Sequence, residues 1–343
     1  MQNQNNYFLK IGMLGTFCFL LFFVLLSIGP VGISLSEIFK LFTNQSELSA
    51  TSSMIFWDYR LPKVIVAILG GAALAVSGLL MQTFFQNPLA GPYVLGVQSG
   101  AALGVACWTL LLTPISHLLS PSLQSFGVTF ASILGSSFTL SVLLLVSFRM
   151  PNKLIILIFG LLFAQVSGGI INICISLSNA QALKSFMLWS LGSFQQVAGN
   201  DLIIFSAVIM LGIFATVMIA KPLNLLLLGD EYAKTLGLKS KKTNYSIIFL
   251  VSILSGTVTA FCGPIGFLGI ITPHVARKFL RTNNHYILIP AVALLGAMVA
   301  MTAEVFAGLN SAIAIPLNAI LGLMGVPFIM VFLWRGRQNE VVF

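Results

Sequence analysis

The sequence predicts an all-α protein that crosses a lipid bilayer several times, and two observations support this prediction. Of the 343 residues, 58% are hydrophobic and only 7% are charged, and the mean hydropathy is +1.02. The surface of a water-soluble domain needs roughly a quarter of its residues charged, so this composition cannot cover one. Apolar runs of about 20 residues also recur, and each can cross roughly 30 Å of hydrocarbon as a helix that satisfies its own backbone hydrogen bonds.

Ten apolar runs are candidate membrane spans. In chain order they are 11–31, 61–84, 93–113, 123–147, 154–177, 201–220, 244–262, 264–280, 286–307 and 312–334. The first is interpreted as a retained helix rather than a signal peptide, because it is long, lacks a small-x-small cleavage site and leads into further spans. We interpret residues 1–343 as one transmembrane domain.

The basic residues predict the orientation of these spans. With an even number of spans both termini share a side, and, if the chain starts inside, the inner segments hold Lys10, Arg149, Lys153, Lys221, Lys234, Lys239, Lys241, Lys242, Arg277, Lys278, Arg281, Arg335 and Arg337. The outer segments hold Lys40, Arg60, Lys63 and Lys184. This bias predicts a multi-pass protein of the bacterial inner membrane with both termini in the cytoplasm. It also accounts for the net charge of +9 without a nucleic-acid partner.

Two short segments are predicted to lie on the outer side. Segment 34–53 contains "SLSEIFKLF", in which Leu35, Ile38 and Phe39 share a helical face with Phe42, so it is predicted to lie flat on the membrane surface. Segment 183–194, "LKSFMLWSLGSF", is too short to span and is predicted to cap the outer mouth with Trp189 at interfacial depth.

The sequence predicts neither catalysis nor a metal or cofactor site. It contains no G-x-x-x-x-G-K-[ST] nucleotide loop and no H-E-x-x-H metal motif. The cysteines Cys18, Cys107, Cys174 and Cys262 lie in or at the ends of apolar runs without CxxC spacing and are interpreted as small buried hydrophobes. Glu304 is the one acid deep in an apolar run, and a functional acid and one that reaches the membrane surface are equally consistent with its position.

The stretch "FFQNPLAGPYVLGVQSGAALG", residues 84–104, predicts a sharp cytoplasmic turn between the second and third spans. Pro88 and Pro92 forbid a continuous helix, Gly91 and Gly96 permit a reversal, and Asn87 can hydrogen-bond the freed backbone. Irregular backbone at membrane depth is tolerated beside protein or a wet cavity. An ordinary inner turn, with no functional role, is the alternative interpretation.

Ordered motifs across the chain resemble the FecCD-type permeases, the membrane subunits of ATP-binding-cassette importers for iron siderophores, haem and cobalamin. The stretch 84–104 is preceded by "RLPKVIVAILGGAALAVSGLLMQ" and followed by "LWSLGSF", "LLLLGDEYAKTLGL", "GPIGFLGIITPHVARKF", "LGAMVAMTAEVFA" and "LGLMGVPFIMVFL". The resemblance covers nearly all of the chain from residue 60 onward.

This resemblance implies a type II importer architecture and a set of partners. Two ten-helix subunits form a homodimer with one translocation path at their interface, two cytoplasmic ATPase subunits and one external substrate-binding protein. The chain is then predicted to be the permease subunit that moves a metal chelate inward by alternating access. An ion-coupled secondary transporter is the alternative, disfavoured because only Glu304 comes close to a mid-membrane ionisable group. A membrane enzyme is disfavoured because no catalytic constellation is present.

The resemblance and the residues together assign candidate pathway positions. The family's Asn-Pro-Leu at the inner gate matches Asn87 and Leu89. In span five, a stripe of small residues continues into polar ones, so Gln165, Ser167, Gly168 and Asn172 are candidates for the pathway wall. Plain helix packing is the alternative for this stripe.

Candidate contacts with partners lie at both ends of the spans. In the inner loop 221–243, Gly229, Asp230, Ala233, Leu236 and Gly237 match the family's ATPase-coupling helices, with a membrane-surface helix as the alternative. His274 and Arg277 are assigned either to a packed kink or to an ATPase contact. At the outer end, Arg60 and Lys63 match the basic residues that meet the binding protein, with helix-end charges reaching the membrane surface as the alternative. The chain departs from the family pattern at Gly308, Ala314 and Asn318, so neither the docking of the binding protein nor the substrate class is carried over from the family.

Overall fold

The computed structural model describes residues 2–29, 37–39, 50–111, 121–150, 152–308 and 315–336, and all regular structure in these ranges is helical. The all-α prediction is confirmed. The α-helices are α1 Gln2–Ser27, α2 Ala50–Met54, α3 Leu61–Phe85, α4 Val97–Ala106, α5 Pro121–Arg149, α6 Lys153–Leu177, α7 Ala180–Ser190, α8 Gly199–Met218, α9 Ala220–Leu226, α10 Asp230–Thr235, α11 Ser240–Cys262, α12 Leu268–Leu280, α13 His285–Gly308 and α14 Leu317–Gly336.

Each of the ten predicted spans contains one of these helices. Within the described ranges, seven helices are long and apolar enough to cross a bilayer: Asn6–Ser27, Thr51–Phe85, Phe126–Arg149, Lys153–Leu177, Gly199–Met218, Ser240–Cys262 and His285–Gly308. Val97–Leu111 and Leu317–Phe328 are shorter apolar helices, and α12 has 13 residues. The total of ten crossings therefore stays a prediction.

Helix α3 forms the centre of the fold, because nearly all of its side chains are buried against α11, α12 and α13. Glycines make this close packing possible. A Cβ added at Gly78 would overlap the carbonyl oxygen of Gly269 in α12, and one added at Gly71 would overlap that of Gly296 in α13. Small residues let helix backbones approach in lipid, where the hydrophobic effect does not drive helices together.

Helices α4, α5 and α6 form a second layer at the side of this centre. Helix α4 packs tightly against α5, since a Cβ at Gly104 would overlap the backbone of Ala131 in α5. Helix α6 packs mainly against α4 and its flanking turns. Most of its surface is open in the single chain, and a Cβ added at Gly168 would meet nothing within 4 Å.

The eighth predicted span begins later than expected. Residues 263–267 are irregular, with Gly263 at φ 76° and Phe267 at φ 66°, so helix α12 starts only at Leu268. Asn318 of α14 holds this segment with both ends of its amide, donating to the Pro264 carbonyl (2.6 Å) and accepting from the Gly266 N–H (3.1 Å). Asn318 therefore stabilises a non-helical backbone segment at one of the positions where the chain departs from the family pattern.

The two predicted external segments have different outcomes. Segment 34–53 lies largely outside the described residues; Ile38 is buried and Phe39 is exposed within it. The short helix near 183–194 is present as α7, and the interfacial depth of Trp189 stays a prediction. Its side chain is 5% exposed and packs with Val105 and Phe186 in a buried cluster, because α7 folds back against α4 and its following turn.

Candidate functional site

The predicted turn after α3 is present and is built as its local chemistry requires. The side chain of Asn87 accepts a hydrogen bond from the Leu89 N–H (2.9 Å), and the Ala90 N–H donates to the Asn87 carbonyl (3.1 Å). A 3-10 turn, Pro92–Leu95, follows and ends at Gly96 with φ 73°. Asn87 and Leu89 are both exposed in the single chain. We call residues 86–96 the gate turn.

Gln86 begins the reversal, and the sequence argument missed it. Its φ is 50°, a left-handed conformation uncommon for a residue other than glycine. Its side-chain amide donates a hydrogen bond to the carbonyl of Leu226, the last residue of α9 (2.8 Å). Gly91, in contrast, is extended; it is close-packed, since a Cβ there would lie 2.6 Å from the ring of Tyr93.

Buried polar side chains continue from the gate turn into the helices around it. Gln82 donates to the carbonyl of Ile270 in α12 (3.1 Å) and accepts from the guanidinium of Arg277. The guanidinium of Arg277 is thus hydrogen-bonded inside the protein, whereas the ring of His274 lies against Phe328 of α14. The packed interpretation of this stretch fits both positions.

A second group of polar contacts joins α3 to the inner loop through His285, which is fully buried. The backbone N–H of His285 donates to Asn224 Oδ1 (2.8 Å), so that atom is an acceptor. Ring Nδ1, also 2.8 Å from it, must then donate to it, and Nε2 lies within hydrogen-bond distance of the Thr83 hydroxyl (2.8 Å). This Thr83–His285–Asn224 chain links α3, α13 and α9.

The predicted coupling positions form a short capped helix. Gly229 precedes α10 with φ 94°, and Gly237 follows it with φ 83°. The Leu238 N–H bonds the Ala233 carbonyl (3.0 Å) and the Gly237 N–H bonds the Lys234 carbonyl (2.9 Å), the Schellman arrangement that only glycine adopts without strain. We call residues 229–237 the coupling segment.

The coupling segment has one buried and one exposed face. Ala233 is fully buried, whereas Tyr232 and Leu236 are 59% and 51% exposed. Asp230 is 2.7 Å from the ammonium of Lys153, the first residue of α6. The same ammonium lies 5.5 Å from the ring centre of Phe84 in α3. Asp230 therefore ties the segment to α6 and α3.

Glu231 and Lys234 form a second ion pair (2.7 Å) on the exposed side of the coupling segment. The Glu231 carboxylate raises the pKa of Lys234 above its ordinary value, through the hydrogen bond and through charge attraction. Because both groups are in water, the pair contributes little to stability.

The pathway candidates on α6 divide between two faces. Gln165 and Asn172 are exposed and lie on one side of the helix, beside Gly168. Ser167 is 1% exposed and lies on the opposite, packed side. Residues two apart on a helix differ by about 200° in direction, which is why the stripe cannot hold both.

The outer docking candidates already have partners inside the chain. Arg60 is 7% exposed and donates to the carbonyls of Leu26 (2.8 Å) and Ser27 (3.2 Å) at the end of α1. Lys63 lies 2.6 Å from the buried carboxylate of Glu304. The deep acid is thus one half of an ion pair between α3 and α13, and a docking role for Arg60 and Lys63 stays a prediction.

The remaining departures from the family pattern lie nearby. Gly308 ends α13, and a Cβ there would lie 3.2 Å from the side chain of Ile28. Ala314 lies outside the described residues.

The gate turn, its links to the inner loop and the apolar helices define a polytopic helical membrane transport protein. The chain belongs to the FecCD transport family, whose sequence profile matches residues 17–335. The predicted resemblance is therefore confirmed.

Individual relatives span nearly the whole chain. It is 33% identical over 324 residues to the hemin transport system permease protein HmuU of Yersinia pestis, covering 94% of this chain and 95% of that protein. It is 30% identical over 296 residues to the vitamin B12 import system permease protein BtuC of Klebsiella pneumoniae, covering 84% and 86%. A solved inward-facing ABC transporter described as of metal-chelate type superposes with a TM-score of 0.83 at 26% identity, covering 95% of this chain and 98% of that one.

Proposed function

We propose that this chain is the permease subunit of an ATP-driven importer that carries a metal chelate, such as haem, cobalamin or a ferric siderophore, into the cytoplasm. Two copies form the path, two ATPase subunits bind on the cytoplasmic side, and an external binding protein delivers the cargo. Family membership and the printed functions of HmuU and BtuC support this assignment.

One observation supports the mechanism most directly: a hydrogen bond joins the gate turn to the inner loop. Gln86 binds the carbonyl of Leu226, three residues before the coupling segment begins at Gly229. The Thr83–His285–Asn224 chain makes a second connection between α3 and the same loop. A displacement of the loop by an ATPase is therefore passed to the end of α3, which is how rigid elements transmit a gating motion.

The exposed face of the coupling segment is proposed as the ATPase contact. Tyr232 and Leu236 present exposed apolar surface, and aromatic side chains are enriched at protein interfaces. The buried Ala233 and the two glycines hold the segment in one shape. We assign Asp230 to the internal pair with Lys153 rather than to the ATPase contact.

The exposed stripe of α6 is proposed to face the translocation path between two copies. Gln165 and Asn172 lie on a surface that is open in the single chain, and amide side chains facing hydrocarbon are costly. A second copy and an aqueous path between the copies would cover this face. Gly168 keeps it free of side-chain bulk.

The alternative of an ion-coupled secondary transporter is not favoured. The relatives of this chain are ABC permeases, and Glu304 is paired with Lys63 rather than free to bind a coupling ion.

Co-purification tests the ATPase assignment. Leu236→Glu places a charge in the proposed contact and should release the partner ATPase when the complex is extracted in mild detergent. Asn283→Glu adds the same charge at an exposed loop position that we predict to be on the same side of the membrane, and it should leave the complex intact. Equal ATPase recovery from both variants would contradict the assignment.

A further inference from the structure

A hollow of 480 Å³ lies beside the coupling segment, where α8 ends and α11 begins. Its volume is within the range of roughly 300–1,000 Å³ in which proteins bind small ligands. Three lysines line it: Lys221 from the start of α9, Lys239 from the residue before α11, and Lys242 from the first turn of α11. Nothing in the proposed transport mechanism uses these three charges.

The positive charge of this hollow is not neutralised within the described part of the chain. No acid lines it, and none of the three lysines has a carboxylate partner among the described residues. The two acids of the coupling segment are already used, since Asp230 pairs with Lys153 and Glu231 with Lys234. Three ammonium groups around one cavity therefore favour an anion.

The rest of the lining is mainly apolar, with hydroxyl groups from Thr243 and Ser246, and it lies at the ends of two helices that are able to cross a membrane. Ile219, Leu225 and Leu238 contribute to the wall, and Ile219 follows directly on α8. The same hollow thus combines cations with apolar side chains at the ends of two helices long and apolar enough to cross a membrane. Basic pockets between membrane helices on the cytoplasmic side are suited to anionic headgroups.

We propose that this hollow binds the phosphate-bearing headgroup of an anionic phospholipid, whose acyl chains lie against α8 and α11. Leu236 and Gly237 of the coupling segment line the same hollow, so the bound lipid would steady that segment from its membrane side. The proposal goes beyond the proposed function: it needs α8 and α11 to cross the membrane, but neither the cargo nor the ATPase.

Native mass spectrometry of the full chain, released from nanodiscs of mixed phosphatidylglycerol and phosphatidylcholine, tests the proposal. We expect phosphatidylglycerol to be retained in preference to phosphatidylcholine. The triple variant Lys221→Gln, Lys239→Gln, Lys242→Gln should lower this retention by about tenfold or more, because each lysine near a membrane surface adds to the attraction. The control triple Lys234→Gln, Lys241→Gln, Lys278→Gln removes the same charge outside the hollow and should change retention by less than about twofold.

Two further arms separate the possible occupants. Excess inorganic phosphate should not displace the lipid; complete displacement would assign the site to a free anion and overturn the proposal. Equal loss of lipid in both triple variants, or equal retention of the two lipids, would also overturn it.

If the first triple variant fails to fold, Lys221→Gln and Lys239→Gln are measured singly. Each should lose part of its lipid retention, and unchanged retention in both contradicts the proposal. Because the ATPase is absent from this experiment, its failure leaves the transport assignment untouched.

Discussion

The side-chain amide of Gln86 and the backbone carbonyl of Leu226 are joined by a hydrogen bond of 2.8 Å. The two residues are 140 positions apart in the sequence, yet this bond connects the gate turn to the loop that leads into the coupling segment. Gln86 also has a left-handed φ of 50°, a conformation that persists only when its surroundings fix it. We propose that this contact passes motion of the loop to the gate turn.

Replacing this glutamine should uncouple ATP hydrolysis from transport. Gln86→Leu keeps the size of the side chain and removes the bond, whose net contribution is about 1 kcal/mol, or roughly a fivefold change in an equilibrium. We expect the ATPase to remain bound and to hydrolyse ATP, while cargo moved per ATP falls severalfold. Uptake and hydrolysis measured on the same proteoliposomes give this ratio.

Gln181→Leu is the matched control for this change. Gln181 is exposed on α7, so the same substitution there should leave the ratio unchanged. A normal ratio in Gln86→Leu would show that the bond does not transmit the motion.

The pair of Lys63 and Glu304 provides a second prediction. Lys63→Met leaves a carboxylate that is 3% exposed without its cation, and breaking a buried pair in this way costs about 3–5 kcal/mol. We expect the melting temperature of the purified chain to fall well below that of the wild type. The double variant Lys63→Met, Glu304→Gln removes the buried charge as well and should recover most of the loss.

The same two variants separate the structural role of Lys63 from docking. If Lys63 acts only through Glu304, the double variant should bind the external binding protein normally. Full stability together with lost binding in the double variant would instead support the docking role predicted from the sequence.

Two glycines provide opposite predictions for one substitution. Gly78→Ala forces a Cβ into the carbonyl oxygen of Gly269, and overpacking against backbone costs about 3 kcal/mol or more, so we expect little folded protein. Gly168→Ala places the same methyl group in open space on α6 and should fold normally. Size-exclusion profiles and melting curves compare them, and equal behaviour would contradict the packing described for α3 and α12.

The exposed stripe of α6 should be accessible to water in the assembled transporter. In a cysteine-free background, Gln165→Cys and Asn172→Cys should react with a membrane-impermeant maleimide, at rates that change when ATP is added. Ile203→Cys, on an exposed apolar position of α8, should stay unlabelled because that helix faces lipid. Labelling of Ile203→Cys alone would place the path elsewhere.

Local chemistry made the gate turn predictable. Pro88 cannot continue α3, Pro92 begins the 3-10 turn, and the hydrogen bond from the Leu89 N–H to the Asn87 side chain spans only two residues. Repeated apolar runs likewise predict helices because each run satisfies its backbone within itself. Family motifs added the place of the coupling segment in the chain.

The contacts that give these elements their roles could not be predicted in this way. Thr83 and His285 are 202 positions apart, and Gln82 and Ile270 are 188 apart, so only the packing of three helices, α3, α12 and α13, brings them together. The direction of Ser167 likewise depends on which side of α6 is packed. Polar residues at the end of a long apolar run were the available signal for Gln82 and Gln86, but this signal does not identify their hydrogen-bond partners.

ATP-dependent uptake tests the central claim most directly: that this chain is a membrane path driven by a separate ATPase. Proteoliposomes containing this chain, its partner ATPase and its external binding protein would be supplied in turn with labelled haem, cobalamin and a ferric siderophore. The account predicts accumulation of one of them that requires ATP on the ATPase side and continues after ion gradients are abolished. Accumulation by this chain without the ATPase, driven by an ion gradient, would contradict it.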